Sequence, residues 1–205
     1  EVHSKITDSK VSDTDILDGI SAAIRYELGP VKINCVVQRG VNEHQIPKLV
    51  RKFRGTGVIV RFIEFMDVGS TNGWTQGQVV PTSEIIDFLS SEFDLIPLAR
   101  KSASDVASRW AHSDDSGEIG FISSVSQPFC GDCVRARLSS DGKFFTCLFT
   151  TTGHDMSALI KSGGKTEVLT QSIEEVWSAR KDRYSEERTS VAISLPRVEM
   201  SYIGG

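Results

Sequence analysis

VKINCVVQRGVNEHQIPKLVRKFRGTGVIVRFIEF, residues 31–65, decides the fold. It opens on VKINCVV, a short β-branched run that reads as a strand. It then sets Ile46, Leu49, Val50 and Phe53 on one helical face and closes that helix with Gly55. Pro47 must fall in the first turn of this helix, where a missing N–H costs nothing, or the helix starts later. A second strand follows in VIVRFIEF. Upstream, residues 13–28 (DTDILDGISAAIRYEL) place Ile16, Leu17, Ile20, Ala23, Ile24 and Leu28 on one face, with Ser12 as cap and Gly29-Pro30 as stop. Helix–strand–helix–strand at this spacing is the pattern of a parallel sheet with outer helices, an α/β fold.

Downstream, DVGSTNGWTQGQVVP is a polar, glycine-rich loop, and TSEIIDFLSSEF is a helix with Ile85, Ile86, Leu89 and Phe93 inward. After Pro97 the texture changes. RKSASDVASRWAHSDDSGE is polar and irregular, while GFISSVS, RARLS and KFFTCLF read as short strands. Ser140-Asp141-Gly142 is a hairpin turn signal between the last two. Helical segments follow over roughly 155–162 and 166–181, broken at Gly163-Gly164. A soft boundary near residue 97 therefore divides residues 1–97, a piece of α/β sheet, from residues 98–205, an appended module.

With 205 residues, net charge −4 and ordinary apolar and charged fractions, the chain reads as a soluble globular protein without the basic field that nucleic acid would need. No apolar run approaches the roughly 18 residues that span a membrane, and no leader reads as a signal peptide. Three of its four cysteines, Cys130, Cys133 and Cys147, fall close together. An odd trio in a chain that is not cysteine-dense points to a reducing compartment and a metal site rather than disulfides.

Thiolates suit zinc and iron–sulfur clusters. A two-residue spacer lets Cys130 and Cys133 reach one centre, and the hairpin returns Cys147 to it. A structural zinc site wants a fourth ligand, for which His154 and Cys35 are the candidates, although Cys35 in INCVV also reads as core. A four-iron cluster on three cysteines keeps one iron open for a substrate atom. Arg135 and Arg137 alternate along a strand and suit an anionic ligand, phosphate above all, but a solvated strand face explains them too. Lys32, Arg39 and Arg61 lie in or beside strands that a parallel sheet would bury, so each needs an acidic partner or an anion; Glu64 is the candidate partner of Arg61. There is no Walker-type loop, and no G-x-G-x-x-G follows a strand. The charged run 180–188, RKDRYSEER, reads as a solvated helix end.

CGDCVRARLSSDGKFFTCLF, residues 130–149, resembles the C-terminal cluster segment of the GTP 3′,8-cyclase family, radical S-adenosylmethionine enzymes of molybdenum-cofactor biosynthesis. VKINCVVQRGVNEHQI, VRFIEFMDVGSTNGW, FISSVSQPFC and the terminal YIGG resemble the same family in the same order. The resemblance implies the C-terminal part of an incomplete TIM-type (βα)6 barrel followed by an α+β cluster-binding module. It implies that Cys130, Cys133 and Cys147 ligate a [4Fe-4S] cluster whose open iron meets guanine. Arg135 and Arg137 would contact GTP, Lys32 and Arg61 its phosphates, and Met66 would lie at the S-adenosylmethionine site. Gly204 and Gly205 would form a tail reaching the active site. The family's N-terminal C-x3-C-x2-C motif, holder of a second cluster, does not occur in this sequence, so the chain is expected to be an inactive fragment with an exposed sheet edge. The expected partners are GTP and S-adenosylmethionine, with no nucleic acid and no membrane; the parent would be a homodimer in bacterial cytoplasm or, if eukaryotic, the mitochondrial matrix. The alternatives from other classes are a non-catalytic zinc or iron–sulfur module and a GTP-binding regulatory piece.

Overall fold

The computed structural model describes residues 2–7, 9–69, 72–163, 165–188 and 198–203; Gly164 of the expected helix break and the tail residues Gly204 and Gly205 lie outside them. Helices α1 (Val2–Thr7) and α2 (Asp13–Arg25) come first. Ser12 caps α2 as expected: its hydroxyl accepts the Asp15 N–H at 3.1 Å while the Asp15 carboxylate accepts the Ser12 N–H at 3.2 Å. The helix ends at Arg25 rather than near residue 28, and Glu27 turns the chain out through a left-handed backbone, φ 55°.

Strand β1 (Lys32–Val37), helix α3 (Ile46–Phe53) and strand β2 (Ile59–Glu64) form the expected unit, with β1 and β2 parallel and Pro47 in the first turn of α3. Helix α4 (Thr82–Ser90) follows. The sequence reading then needs correction. The segment taken as irregular contains β4 (Ser108–His112), lying between β3 (Leu95–Leu98) and β5 (Glu118–Ile122). The sheet runs β1-β2-β5-β4-β3; β5 is parallel to β2, but β4 and β3 continue antiparallel. It is therefore a mixed sheet in an α/β fold.

One face of this sheet carries the core. Val37, Val60, Phe62, Ile119 and Phe121 pack against Ile46, Val50 and Phe53 of α3 and Ile85 and Leu89 of α4. Burying each large side chain of this set contributes about 1.5–3 kcal/mol. Strand alternation sends Lys32, Asn34 and Arg61 to the opposite face.

The chain divides into two compact units, one running to Phe65 and resuming at Gly77–Gln127, the other comprising Met66–Gln76 and the chain from Pro128 onward. The division expected near residue 97 falls inside β3, which hydrogen-bonds to β4, so strand pairing carries the first unit past it. The second unit holds a small antiparallel sheet of β6 (Arg137–Leu138), β7 (Lys143–Phe145) and β8 (His154–Asp155), then helices α5 (Ser157–Lys161), α6 (Thr166–Ala179) and α7 (Tyr184–Glu187). The β6–β7 hairpin turns where Ser140-Asp141-Gly142 predicted; Gly142 has φ 87°, and a Cβ there would press on Ser157 at 3.0 Å. Among the described residues no helix is long and apolar enough to cross a membrane.

Candidate metal centre

Cys130, Gly131 and Asp132 form a 3-10 turn in which the Cys133 N–H bonds the Cys130 carbonyl at 3.2 Å. This turn makes the two-residue spacer compact. Cys147 sits just beyond β7, and Arg137 of β6 registers with Phe145. The hairpin thus carries Arg137 and Cys147 back to the same neighbourhood. All four cysteines are free, and the three of the module are half-buried.

The three thiols and two guanidiniums share one electrostatic environment. Burial by itself would raise the Cys133 thiol, but the Arg135 N–H, its guanidinium and the charge of Arg180 hold it below the ordinary value. Burial raises Cys147, opposed by the Phe149 N–H, which donates to its Sγ at 3.5 Å. Burial and the charge of neighbouring Arg135 pull Arg137 down, while the sulfurs of Cys147 and Cys133 push the other way. Only Arg137 lies in β6; Arg135 precedes it, exposed, with its guanidinium 4.9 Å over the Phe129 ring, so the expected strand alternation of the pair does not hold. Two guanidiniums close enough to disturb each other make a place where an anion is welcome.

Among the described residues no three His, Cys, Asp or Glu side chains close on one point as ligands of a single ion must. Three thiols, an N–H···S hydrogen bond and a cationic surround fit a thiolate-ligated cluster. His154, weighed as a fourth zinc ligand, stands exposed on β8 and lines an open groove of about 380 Å³ with Thr146, Glu175, Arg180 and Asp182. Cys35 is a core thiol, its pKa pushed up to about 11 by burial.

The basic residues of the first unit divide. Arg39 is engaged by Glu84 of α4 through two bonds of 2.8 and 2.6 Å. Arg61 does not pair with Glu64. Its Nε donates to Asn34 Oδ1 at 2.9 Å, and its stem lies over Gly120, where a Cβ would stand 2.9 Å from its Cγ. Exposed Lys32 shares that face. Glu64 points into the opposite side, fully buried, and accepts the N–H groups of Thr82 (2.8 Å), Val125 (2.8 Å) and Ser126 (2.7 Å) and the Ser126 hydroxyl (2.5 Å). Pro81 precedes α4 and has no side-chain cap to offer, so Glu64 supplies the carboxylate that this helix N-terminus favours.

The sequence pattern described as Molybdenum Cofactor Synthesis C matches residues 58–186, a span that takes in the three cysteines, Arg61, Met66, Arg135 and Arg137. The chain belongs to the molybdenum cofactor synthesis C family. It is 50% identical over 190 residues to a protein named GTP 3′,8-cyclase from Xanthomonas axonopodis pv. citri, covering 93% of this chain and 56% of that relative. Proteins of the same name from Acidothermus cellulolyticus and Staphylococcus haemolyticus are each 41% identical, over 97% and 100% of this chain and 63% and 61% of their own lengths. The chain thus spans a little over half the length of the relatives it matches.

Within the second compact unit, several residues went unread in the sequence. Asp67, 2% exposed, follows Met66; the Tyr184 hydroxyl donates to its Oδ2 at 2.5 Å, and Arg188, itself buried, pairs with its Oδ1 at 2.7 Å. Met66 is half-buried, and its carbonyl accepts the Asn72 side-chain amide at 3.0 Å. The segment 198–203 docks on the hairpin. Ile203 is 2% exposed, the Tyr202 hydroxyl donates to Asp141 Oδ2 at 2.6 Å, and Lys143 Nζ donates to that hydroxyl at 3.0 Å. Apart from Asn72 with Met66, these partners are far apart in sequence, so no periodic signal marks them.

Proposed function

We propose that the chain serves the substrate side of a GTP 3′,8-cyclase, the reaction that turns GTP into 3′,8-cyclo-7,8-dihydro-GTP in molybdenum-cofactor biosynthesis. The observation that carries this reading is the packing of three half-buried thiols with Arg135 and Arg137 in one segment. The relatives' printed name supports it. Cys130, Cys133 and Cys147 would hold a [4Fe-4S] cluster. With three protein ligands such a cluster offers one iron with an open position, able to bind a guanine heteroatom.

The rest is work for the chain's own side chains. Arg135 and Arg137 give charge-assisted hydrogen bonds to the nucleotide. Lys32 and Arg61, on the sheet face away from the core, give the same to its phosphates. Met66 contributes to S-adenosylmethionine binding, with its loop held through Asp67 and Asn72. Tyr202 and Ile203 anchor the segment that precedes Gly204 and Gly205. The parallel strands β1 and β2 supply the closing strand units of a (βα)6 barrel, and the full-length parent works as a homodimer inside the cell. For these residues the proposal is confined to holding GTP; radical generation from S-adenosylmethionine is the work of the family's C-x3-C-x2-C cluster motif, which is not among them.

The test is anaerobic reconstitution with iron and sulfide, then metal analysis, a visible spectrum and GTP titration. About four irons per chain, with broad absorbance near ~400 nm that GTP perturbs, support the reading. Arg137→Ala should weaken GTP binding about ten-fold, as expected for one lost charge-assisted contact. One colourless zinc per chain, or GTP binding indifferent to Arg135 and Arg137, would overturn it.

A further inference from the structure

The run RKDRYSEER, residues 180–188, has the composition of a solvated helix end, and the structure uses it otherwise. Every second residue from Arg180 to Arg188 grips something beside a cysteine or beside Met66. The Arg180 guanidinium donates to the Cys133 carbonyl and stacks 4.0 Å over Trp177. Asp182 accepts the hydroxyl of Thr146, the buried residue before Cys147, at 2.6 Å. Tyr184 stacks on Phe149 with ring centroids 4.6 Å apart, and it is the Phe149 N–H that donates to Cys147 Sγ. Glu186 accepts the N–H of Gly131, between Cys130 and Cys133, at 3.2 Å, with its other oxygen held by Arg183 at 2.5 Å. Arg188 pairs with buried Asp67 and lies over the rings of Phe149 (5.3 Å), Tyr184 (5.5 Å) and Trp74 (5.8 Å).

We propose that Arg180, Asp182 and Glu186 are positioning residues: the segment 180–188 is a clasp that fixes the three thiols in one arrangement and tunes what they bind. The clasp acts on peptides and side chains adjoining the sulfurs, not on the sulfurs. Each of the two cysteine-bearing elements is held from outside, the turn by Arg180 and Glu186, the end of β7 by Asp182 and Tyr184. A two-residue hairpin strand and one 3-10 turn have little stiffness of their own. A site whose partners in the surrounding shell are removed typically loses 10–100-fold in metal affinity. Arg180 also places a positive charge near the centre, which favours the more negative, reduced state of anything bound there. The part of this inference that concerns a cluster rests on the reading of Cys130, Cys133 and Cys147 as its ligands; the part that concerns the thiols does not.

The experiment has two arms on the same chain. The variants are Arg180→Ala, Asp182→Ala and Glu186→Ala, their conservative counterparts Arg180→Lys, Asp182→Asn and Glu186→Gln, and Glu174→Ala on the exposed side of α6 as control. Far-ultraviolet circular dichroism checks each fold. In the first arm the reconstituted chain is challenged with an iron chelator and its midpoint potential measured. Alanine variants should lose iron about ten-fold faster than wild type. Arg180→Ala should also lower the reduced-to-oxidised ratio at fixed potential three- to ten-fold, about 30–59 mV for one electron. Arg180→Lys should restore most of that ratio, which a merely structural role would not predict. In the second arm the metal-free chain is alkylated under reducing conditions and the adducts mapped. Alanine variants should expose Cys147 and Cys133 to modification several-fold faster, and Glu174→Ala should not. Wild-type rates in the alanine variants would overturn the clasp whatever the metal content. If wild type takes up no iron while alkylation still separates the variants, the cluster reading fails and the clasp stands.

Discussion

Glu64 offers the sharpest test of how the sheet unit is built. It is fully buried, and its two oxygens receive three backbone N–H groups and one hydroxyl at 2.5–2.8 Å. Glu64→Ala strips the partner from all of them at once. An orphaned buried N–H costs about 1–3 kcal/mol; Thr82 is buried and Val125 half-buried, while exposed Ser126 can turn to water, so the expected total is about 2–4 kcal/mol. That is a large share of the ~5–15 kcal/mol that holds a domain together. Glu64→Gln keeps the shape and one acceptor oxygen but turns an amide NH2 toward donors, so about half the loss is expected. Denaturant unfolding followed by tryptophan fluorescence gives the global number. Amide hydrogen exchange at Thr82, Val125 and Ser126 gives the local one, and all three should lose protection together. A Glu64→Ala chain within ~1 kcal/mol of wild type, with those amides still protected, would refute the argument that one carboxylate caps α4 and fastens the turn after β5.

Three further outcomes follow. His112 is buried, with its ring 5.7 Å from that of Phe93, and burial with the Arg54 charge lowers its pKa below 6.5. The unfolded chain then takes up this proton more readily than the native one, so stability is full above pH 6.5 and lost as pH falls below it; His112→Gln should flatten that slope in unfolding curves at pH 8 and 5.5. Asp114, held at about 2 by Ser116 and Arg54, gives a second window: its contribution is present above 3.8 and lost as pH falls through about 2, and Asp114→Asn should remove that acid step from the titration. Cys35, at about 11, should resist iodoacetamide at pH 8 in the native chain and react only after unfolding; labelling in the native state would show that β1 opens.

The sequence was most legible where local pattern and tertiary role coincide. The apolar spacing of Ile46, Val50 and Phe53 and the β-branched run of β1 marked core positions because burial itself wrote the period. Ser140-Asp141-Gly142 marked a real hairpin because the left-handed turn needs its glycine. Strands β3 and β4 escaped because LIPL and SRWAH are short and half-exposed, with a proline in one and an arginine in the other; the pairing of β4 with β5 and of β3 with β4, not their composition, makes them strands.

Charges were the hardest to read, and for one reason. A side chain announces its charge in the sequence but not its partner. The Arg61–Glu64 pairing was in fact barred by strand geometry: residues three apart on a strand point to opposite faces, so Arg61 turned to Asn34 across the ladder and Glu64 to the N–H groups on the core side. The same logic governs 180–188. A run of nine residues with seven charged side chains reads as solvated because local spacing pairs only Arg183 with Glu186 among the described contacts. Its partners beside the cysteines and Met66 lie 35 to 121 residues away in sequence, from Phe149 to Asp67. Burying Arg188 against Asp67 costs desolvation that only a close pair and the surrounding rings can offset. A chain gains little net stability from such a buried pair, which is why the arrangement argues for fixing the geometry of the cysteine-bearing segment rather than for simply holding the fold together.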